Sequence, residues 1–230
     1  MSSNGNGGAP AAVLFDVDGT LVDTSYLHTV AWWQAFSQQD RAVSMARIHR
    51  AIGMGSDHLL DHLLGEDRDR SADEAVNSAH GALFAQYWPA LRPLAGAADL
   101  VRACAARGLR VVLASSAQSP EFAAMRRALD VDDAVFAATC AGDVESSKPE
   151  PDLVQRALER AGTGPEAAVF VGDTGWDVEA ARRADVPCVG VQSGGWSKAE
   201  LTEAGAVEVY SGPDELAKRL ESSILLRRGS

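Results

Sequence analysis

Apolar residues along the chain follow two different periods, and the change between them divides the sequence into segments. A short continuous apolar run, Ala11–Phe15, has the length and composition of a buried strand. The stretch from Thr24 to Leu91 contains no strand-like run, and its apolar residues recur at helical spacing. The helices predicted in this stretch are Ser25–Ser37, Ser44–Ile52, Ser56–Leu64 and Ala72–Trp88. A helical block placed directly after the first strand indicates an insertion.

From Ala97 onward, predicted helices alternate with short apolar strands. The strands are Leu109–Ala114, Ala134–Ala138, Ala167–Val171, Pro187–Val191 and Val207–Tyr210. The helices are Ala97–Arg107, Pro120–Leu129, Pro151–Ala161, Val178–Ala184 and Asp214–Leu220. Such alternation is typical of a parallel sheet with helices on both faces. We therefore predict an α/β protein with a Rossmann-like parallel-sheet core and an inserted α-helical cap domain.

The composition shifts and the Pro/Gly-rich exit from the helical block predict where the parts begin and end. We expect a flexible tail over residues 1–10 and a second tail over residues 223–230. The core consists of residues 11–23 and 93–222, and the cap of residues 24–92. A hinge is expected at each of the two points where the chain crosses between core and cap, Leu21–Ser25 and Leu91–Gly96.

Net charge and composition exclude several classes of function. The charge of −11 and the isoelectric point near 4.8 disfavour binding to nucleic acid or to an anionic membrane. No apolar run approaches the roughly 18 residues that span a bilayer, and the first ten residues lack the apolar stretch of a signal peptide. Three scattered cysteines without paired spacing indicate neither disulfides nor a zinc site. We expect a cytoplasmic protein, monomeric or homodimeric.

Polar residues follow four successive strands of the predicted sheet. They are Asp16 and Asp18, then Ser115 and Ser116, then Lys148, and finally Asp173 and Asp177. Because the carboxyl ends of parallel strands lie at one edge of a sheet, these side chains are expected to converge there. Two carboxylates separated by one residue repel each other unless a cation lies between them or one keeps its proton. The set provides nucleophile, acid or base, cation ligands and phosphate donors, as phosphoryl transfer requires.

These motifs resemble those of the haloacid dehalogenase-like superfamily of phosphohydrolases. The residues that carry the resemblance are Asp16-Val17-Asp18-Gly19-Thr20, Ser115, Lys148-Pro149 and Gly172-Asp173-Thr174-Gly175-Trp176-Asp177. The resemblance extends from about Ala11 to Leu220. The position of the helical block is similar to that of the subgroup with a helical cap between the first and second motifs.

The resemblance implies four catalytic residues. Asp16 would attack phosphorus and form an aspartyl-phosphate, and Asp18 would protonate the leaving oxygen and then deprotonate water. Ser115 would donate to a phosphate oxygen, and Lys148 would pair with Asp16 and with the phosphate. The carboxylate of Asp18 favours phosphoryl chemistry over dehalogenation, because a halide leaves without a proton.

The resemblance also implies a bound Mg²⁺, which prefers hard oxygen ligands. Asp16 and Asp173 would supply carboxylate oxygens, and Asp18 its backbone carbonyl. Asp177 would bind or orient the metal through water. The metal and Lys148 would together offset the local negative charge.

The residues after the first motif bear on the choice between phosphatase and mutase. Thr24 and His28 match a hinge threonine and a nearby histidine in β-phosphoglucomutases and related sugar phosphatases. With Ser116 and Gly53 they are the candidate substrate-binding residues. The mutases also use a cap arginine after a glycine to hold a second phosphate, and Ile52–Asp57 contains no arginine. We therefore predict a phosphatase for a small phosphorylated metabolite, either a sugar phosphate or a phosphoglycolate-like ester, with a phosphosugar mutase as the alternative.

A third interpretation belongs to a different class of protein. Response-regulator receivers also place a phosphorylatable Asp, acidic metal ligands, a Ser or Thr and a Lys on a parallel sheet. They act as signalling switches and have neither a helical insert nor an acid two residues after the acceptor. Five side chains of the helical block are further candidates to face the site: Trp32, Trp33, His49, Met54 and His58.

Overall fold

The computed structural model describes residues 10–227, and its centre is one parallel sheet. The strands are β1 (Ala12–Phe15), β2 (Arg110–Ala114), β3 (Ala137–Thr139), β4 (Ala168–Gly172), β5 (Cys188–Val191) and β6 (Glu208–Tyr210). Their spatial order is β3-β2-β1-β4-β5-β6, and every neighbouring pair is parallel. Phe15 of β1 lies opposite Leu113 of β2 and Val171 of β4, so the first strand occupies the middle.

Ten α-helices accompany the sheet in the described part of the chain. They are α1 (Ser25–Ser37), α2 (Met45–Ala51), α3 (Ser56–Leu64), α4 (Asp73–Ala85), α5 (Ala97–Ala106), α6 (Ser119–Leu129), α7 (Asp152–Ala161), α8 (Gly175–Arg183), α9 (Lys198–Ala204) and α10 (Pro213–Lys218).

The sheet is buried on both faces, which is why its strands are continuously apolar. Side chains alternate across a strand, so Val13 and Phe15 join one apolar cluster while Ala12 and Leu14 join the other. The first cluster includes residues of α5, α6 and α10, and the second includes residues of α7, α8 and α9. The predicted Rossmann-like parallel sheet, with helices inserted after the first strand, is confirmed.

Helices α1 to α4 form a block with an apolar cluster of its own. Trp32, Phe36 and Ile48 lie in this cluster, together with leucines of α3. The two chain crossings that connect the block to the sheet are hydrogen-bonded side by side. The amide of Asp23 donates to the Arg92 carbonyl at 3.1 Å, and that of Leu94 donates to the Leu21 carbonyl at 2.9 Å.

Three of the differences from the sequence prediction arise from side-chain capping and strand register. Helix α9 has no predicted counterpart; Ser197 caps it, and Glu200 accepts a hydrogen bond from the Ser197 amide at 2.8 Å. Strand β3 covers Ala137–Thr139 instead of Ala134–Ala138, since Val112 of β2 pairs with Ala137. Helix α8 begins at Gly175, three residues earlier than predicted, because Thr174 and Asp177 form a capping box.

The C-terminal residues that the sequence assigned to a tail have contacts with the rest of the protein. Residues 223–227 pack against the protein: the side chain of Leu225 is fully buried in the first apolar cluster. Ser223 is equally buried and donates to Glu208 at 2.7 Å. Of the predicted N-terminal tail, residues 1–9 lie outside the described residues, as do residues 228–230 of the C-terminal one. Within residues 10–227, no helix is long and apolar enough to cross a membrane.

Candidate active site

The candidate site lies at the carboxyl ends of β1 and β4, where the strand order reverses. In this topology the connections from these two central strands run to opposite sides of the sheet, which leaves a crevice between them. Asp16 follows β1 directly, and Asp173 follows β4. Both side chains are buried, with 3% and 1% of their surface exposed. Parallel register therefore brings together carboxylates that are 157 residues apart in sequence.

A buried lysine connects two of the carboxylates. Lys148, with none of its surface exposed, donates from Nζ to Asp16 Oδ1 and to Asp177 Oδ1, the latter at 2.7 Å. The other oxygen of Asp177 accepts from the Thr174 hydroxyl at 2.7 Å and from the Thr174 amide at 3.0 Å. Both oxygens of Asp177 thus have partners within the protein, and this carboxylate holds the lysine beside Asp16.

Burial and the neighbouring charges shift the pKa values of Asp16 and Lys148. Burial raises the pKa of Asp16 to about 7; the Lys148 charge opposes the rise and the Asp177 and Asp18 charges add to it. Burial would lower the pKa of Lys148, but the charges of Asp16 and Asp177 outweigh it and raise that pKa. The lysine is therefore held as a cation between two acids.

Asp18 accepts three side-chain hydrogen bonds. His28 Nε2 donates to Oδ1 at 3.0 Å, Thr24 to the same oxygen at 2.9 Å, and Ser115 to Oδ2 at 3.0 Å. Burial acts to raise the pKa of Asp18, but hydrogen bonds from His28, Thr24 and Ser115 and the His28 charge lower it overall. The resemblance implied that Ser115 donates to a phosphate; in this structure its hydroxyl donates to Asp18 instead.

Asp173 has the features expected of a metal ligand. Its Oδ1 accepts from Thr20 at 2.7 Å, whereas its Oδ2 is buried and has no hydrogen-bond partner among the described residues. Burial, followed by the charges of Asp177 and Asp16, raises the pKa of Asp173 well above its usual range. One oxygen each from Asp16, Asp173 and Asp177 lies within 4.8 Å of the others. Such a set of hard, crowded oxygens fits Mg²⁺.

Two glycines, Gly19 and Gly194, leave room for the side chain of Asp173. A Cβ on Gly194 would lie 1.6 Å from Asp173 Oδ2, and one on Gly19 would lie 2.5 Å from the same atom. Gly19 also has a φ of +74°, a conformation that favours glycine. The backbone therefore surrounds the unpartnered oxygen closely.

A cavity of about 560 Å³ opens onto Asp16, Asp18 and Lys148. Of the four predicted substrate-binding residues, His28, Gly53 and Ser116 line it. Thr24 is fully buried behind Asp18 and is not part of the wall that the structure describes. Of the five further candidates in the helical block, Trp32 and Met54 line the cavity. The remaining three, Trp33, His49 and His58, lie outside the described lining.

Sequence reasoning missed a second histidine and a glutamate in the cavity wall. His80 of α4 stacks on Trp32 with ring centroids 4.1 Å apart, and its Nε2 lies 3.0 Å from His28 Nδ1. Its Nδ1 lies 4.0 Å from Glu121 Oε1. Asp18, His28, His80 and Glu121 thus form one row. Neither His80 nor Glu121 belongs to a motif, so no local signal marked them.

The helical block contacts the sheet end around the cavity. A Cβ on Gly53, whose φ is +102°, would lie 2.8 Å from Thr174 Oγ1, so only glycine allows this approach. The guanidinium of Arg50 stacks 3.6 Å from the Trp196 ring centroid, and Trp176 Nε1 donates to the Arg50 carbonyl at 2.9 Å. These contacts cover the end of β4.

The chain belongs to the haloacid dehalogenase-like hydrolases, whose family model matches residues 10–185. Within that family it is a phosphatase. It is 32% identical to the phosphoglycolate phosphatase of Rhodospirillum rubrum over 212 residues, 87% of each chain. It is 30% identical to the phosphoglycolate phosphatase of Escherichia coli K12 over 205 residues, 79% of this chain and 81% of the relative.

Solved structures show the same fold. A hydrolase from Pseudomonas syringae superposes with a TM-score of 0.88 at 31% identity, covering 92% of this chain and 98% of that one. A protein described as a β-phosphoglucomutase from Bacteroides vulgatus superposes with a TM-score of 0.85 at 21% identity, covering 95% and 91%. At that identity the second likeness concerns the fold alone.

Proposed function

We propose that the protein is a Mg²⁺-dependent phosphatase that hydrolyses a small phosphomonoester through an aspartyl-phosphate on Asp16. The observation that carries the proposal is the position of Asp16: it is buried, held by Lys148 and open to the cavity beside Asp18. Nucleophile, cation and acid or base are therefore adjacent at the end of one strand.

Three carboxylates and one backbone carbonyl would hold the metal. Asp16 and Asp173 would bind through side-chain oxygens and Asp18 through its carbonyl, while Asp177, whose oxygens contact Lys148 and Thr174, would act through water. The bound Mg²⁺ supplies positive charge that offsets the negative charge of the phosphate and of the aspartates. The unpartnered oxygen of Asp173 supports this assignment.

The chain's own residues then account for both halves of the reaction. An oxygen of Asp16 forms a bond to phosphorus as the ester P–O bond breaks, and Asp18 gives a proton to the departing oxygen. Water subsequently attacks the phosphoryl group, Asp18 accepts its proton, and the bond to Asp16 breaks. The balance is one ester and one water consumed, one alcohol and one phosphate released.

Ser115 links substrate binding to the protonation of Asp18. Its hydroxyl now donates to the Asp18 carboxylate, which favours the charged form. If this hydroxyl instead donates to a bound phosphate oxygen, Asp18 loses one of the three bonds that favour its charge. Losing that bond would raise the pKa of Asp18, and a carboxyl group that gives up a proton to the leaving oxygen must first hold one.

We also propose that residues 24–92 act as a cap over the core formed by residues 11–23 and 93–222. The separate apolar cluster of α1 to α4 and the paired crossings at Asp23–Arg92 and Leu21–Leu94 support this division. Gly53 and Met54 of this block line the cavity. Opening at the crossings would admit substrate.

Two substrate classes follow from the relatives and from the residues. The names of the curated relatives point to phosphoglycolate, and the likeness of Thr24 and His28 to sugar-phosphate enzymes points to a polyol or sugar phosphate. A mutase is disfavoured because it must hold a bisphosphate. In the described wall of the cavity, Lys148 is the single lysine or arginine.

The test uses p-nitrophenyl phosphate with Mg²⁺ and the variants Asp16→Asn and Asp18→Asn. We expect both to lose release of inorganic phosphate, and Asp18→Asn to accumulate phosphorylated protein in intact-mass spectra, because hydrolysis lacks its base. Asp67→Asn, at an exposed position, is the matched control and should turn over normally. Activity near the wild-type level in Asp16→Asn would refute the nucleophile. Single phosphorylation without turnover in the wild type would favour the receiver-like switch.

A further inference from the structure

The cationic groups of the cavity are already paired. Among the described lining residues, Lys148 is the one lysine or arginine, and its Nζ contacts Asp16 and Asp177. That cation serves the end of the cavity where the phosphate would sit. It leaves no lysine or arginine for a second anionic group elsewhere in the described wall.

The two histidines of the wall do not supply a free cation either. His28 donates from Nε2 to Asp18, and its Nδ1 lies 3.0 Å from His80 Nε2, so both ring nitrogens of His28 already have a partner. For His80, burial and the His28 charge hold the pKa well below its usual range. Both nitrogens of His28 and Nε2 of His80 are thus engaged within the row, and His80 Nδ1 lies 4.0 Å from Glu121 Oε1, so the rings point their nitrogens at each other and at acids of the wall.

Glu121 adds a carboxyl group to the same wall. It lies beyond His80 in the row that begins at Asp18, with 8% of its surface exposed. Its Oε2 accepts from the Gln118 amide at 3.3 Å. A carboxylate or phosphate on the substrate would meet this acid without an intervening cation. An uncompensated charge in a desolvated site is costly, so such substrates would bind poorly.

Neutral polar atoms of the wall lack partners. Trp88 Nε1, Ser116 Oγ and Asn77 Oδ1 are buried, belong to residues that line the cavity, and have no hydrogen-bond partner among the described residues. They offer a donor, a hydroxyl that both donates and accepts, and an acceptor. Hydroxyl groups can satisfy all three, whereas a carboxylate can satisfy the donors alone.

We infer that the alcohol released by this phosphatase is uncharged and carries hydroxyl groups, so that the preferred substrate is a polyol or sugar monophosphate. Phosphoglycolate and bisphosphates are then poor substrates. The inference rests on the proposed phosphatase function and narrows its substrate class. It separates this chain from the activity that its curated relatives are named for.

A matched pair of substrates tests the inference. 2-Hydroxyethyl phosphate and phosphoglycolate differ in one group, a neutral hydroxymethyl against a carboxylate, and glycerol 3-phosphate and 3-phosphoglycerate make a second pair. We expect kcat/KM at least about tenfold higher for the neutral member of each pair, because the anionic member brings an unpaired charge. Equal or better hydrolysis of the anionic members would overturn the inference while leaving the phosphatase intact. No phosphate release from any ester, including p-nitrophenyl phosphate, would instead overturn the proposed function.

Two variants link the preference to the charges of the wall. Ser56→Arg adds a cation to the lining, and Glu121→Gln removes the acid while keeping an oxygen that can accept from Gln118. Each should shift the kcat/KM ratio of the first pair toward phosphoglycolate, by about tenfold for the added arginine. Ser71→Arg, at an exposed position outside the described lining, is the control and should leave the ratio unchanged. An unchanged ratio in both wall variants would overturn the inference.

Discussion

Replacing Asp173 by asparagine should make the metal-free protein more stable while removing its response to Mg²⁺. Asparagine keeps an oxygen that can accept from Thr20 and has nearly the same shape. It removes one of the charges crowded at the end of β4. Because the unpartnered Oδ2 of Asp173 is the expected metal contact, stability and metal binding should change in opposite directions.

The magnitude follows from the separation of the charges. One oxygen each from Asp16, Asp173 and Asp177 lies within 4.8 Å of the others, where two like charges repel by about 3.5 kcal/mol at an effective dielectric constant near 20. Asp173 experiences two such repulsions, and the attraction from Lys148 is smaller than either of them, so the net cost is at least that of one pair. The raised pKa of Asp173 shows that proton uptake relieves part of this cost. We therefore expect a gain of about 1–3 kcal/mol in the free energy of unfolding.

The assay is urea unfolding at neutral pH in EDTA and again in excess Mg²⁺. In EDTA the Asp173→Asn midpoint should exceed that of the wild type at an unchanged m-value. In Mg²⁺ the wild type should gain stability by mass action and the variant should not. Exposed Asp67→Asn controls for loss of a carboxylate and should stay within about 0.5 kcal/mol in both conditions. A variant less stable than the wild type in EDTA would refute the repulsion argument, and a retained Mg²⁺ response would refute the metal assignment.

Three other changes test neighbouring parts of the structure. Gly194→Ala places a methyl group against the Asp173 carboxylate, so the Mg²⁺ concentration for half-maximal phosphatase activity should rise; an unchanged value would contradict the close approach. Lys148→Met leaves two buried carboxylates without their cation, and urea unfolding should show a loss of about 3–5 kcal/mol together with loss of phosphate release; an unaltered midpoint would refute its role between them. Leu225→Ala should cost about 2–5 kcal/mol in the same unfolding assay because its side chain is fully buried, whereas a free tail would show almost no change.

Much of the fold and of the charged centre could be predicted because the signals are local. Alternating apolar strands and helices implied a parallel sheet, and parallel strands place their carboxyl ends at one edge. Asp16 after β1 and Asp173 after β4 could therefore be assigned to the same edge from sequence order alone. Helix α9 was not predicted because its seven residues show only weak apolar periodicity. Its start is defined by the cap from Ser197.

The sequence also showed no sign that residues 223–227, which it assigned to a tail, pack against the rest of the protein. Composition alone does not show that Leu225 joins the apolar cluster on one face of the sheet, where its side chain is fully buried. Such a contact depends on the shape of a surface that forms only when distant helices pack. The hydrogen bond from Ser223 to Glu208 likewise joins the chain end to β6.

What the sequence determined by itself was the period of each element and the chemistry at each strand end, since both depend on residues close together in the chain. Which other side chains meet in the cavity wall was decided by the tertiary structure. His28 and His80 are 52 residues apart and meet because α1 and α4 pack side by side. Glu121 reaches the same row from a helix of the core. Which charges are paired, and so which substrates the wall can accept, depends on these side-chain distances and not on any motif.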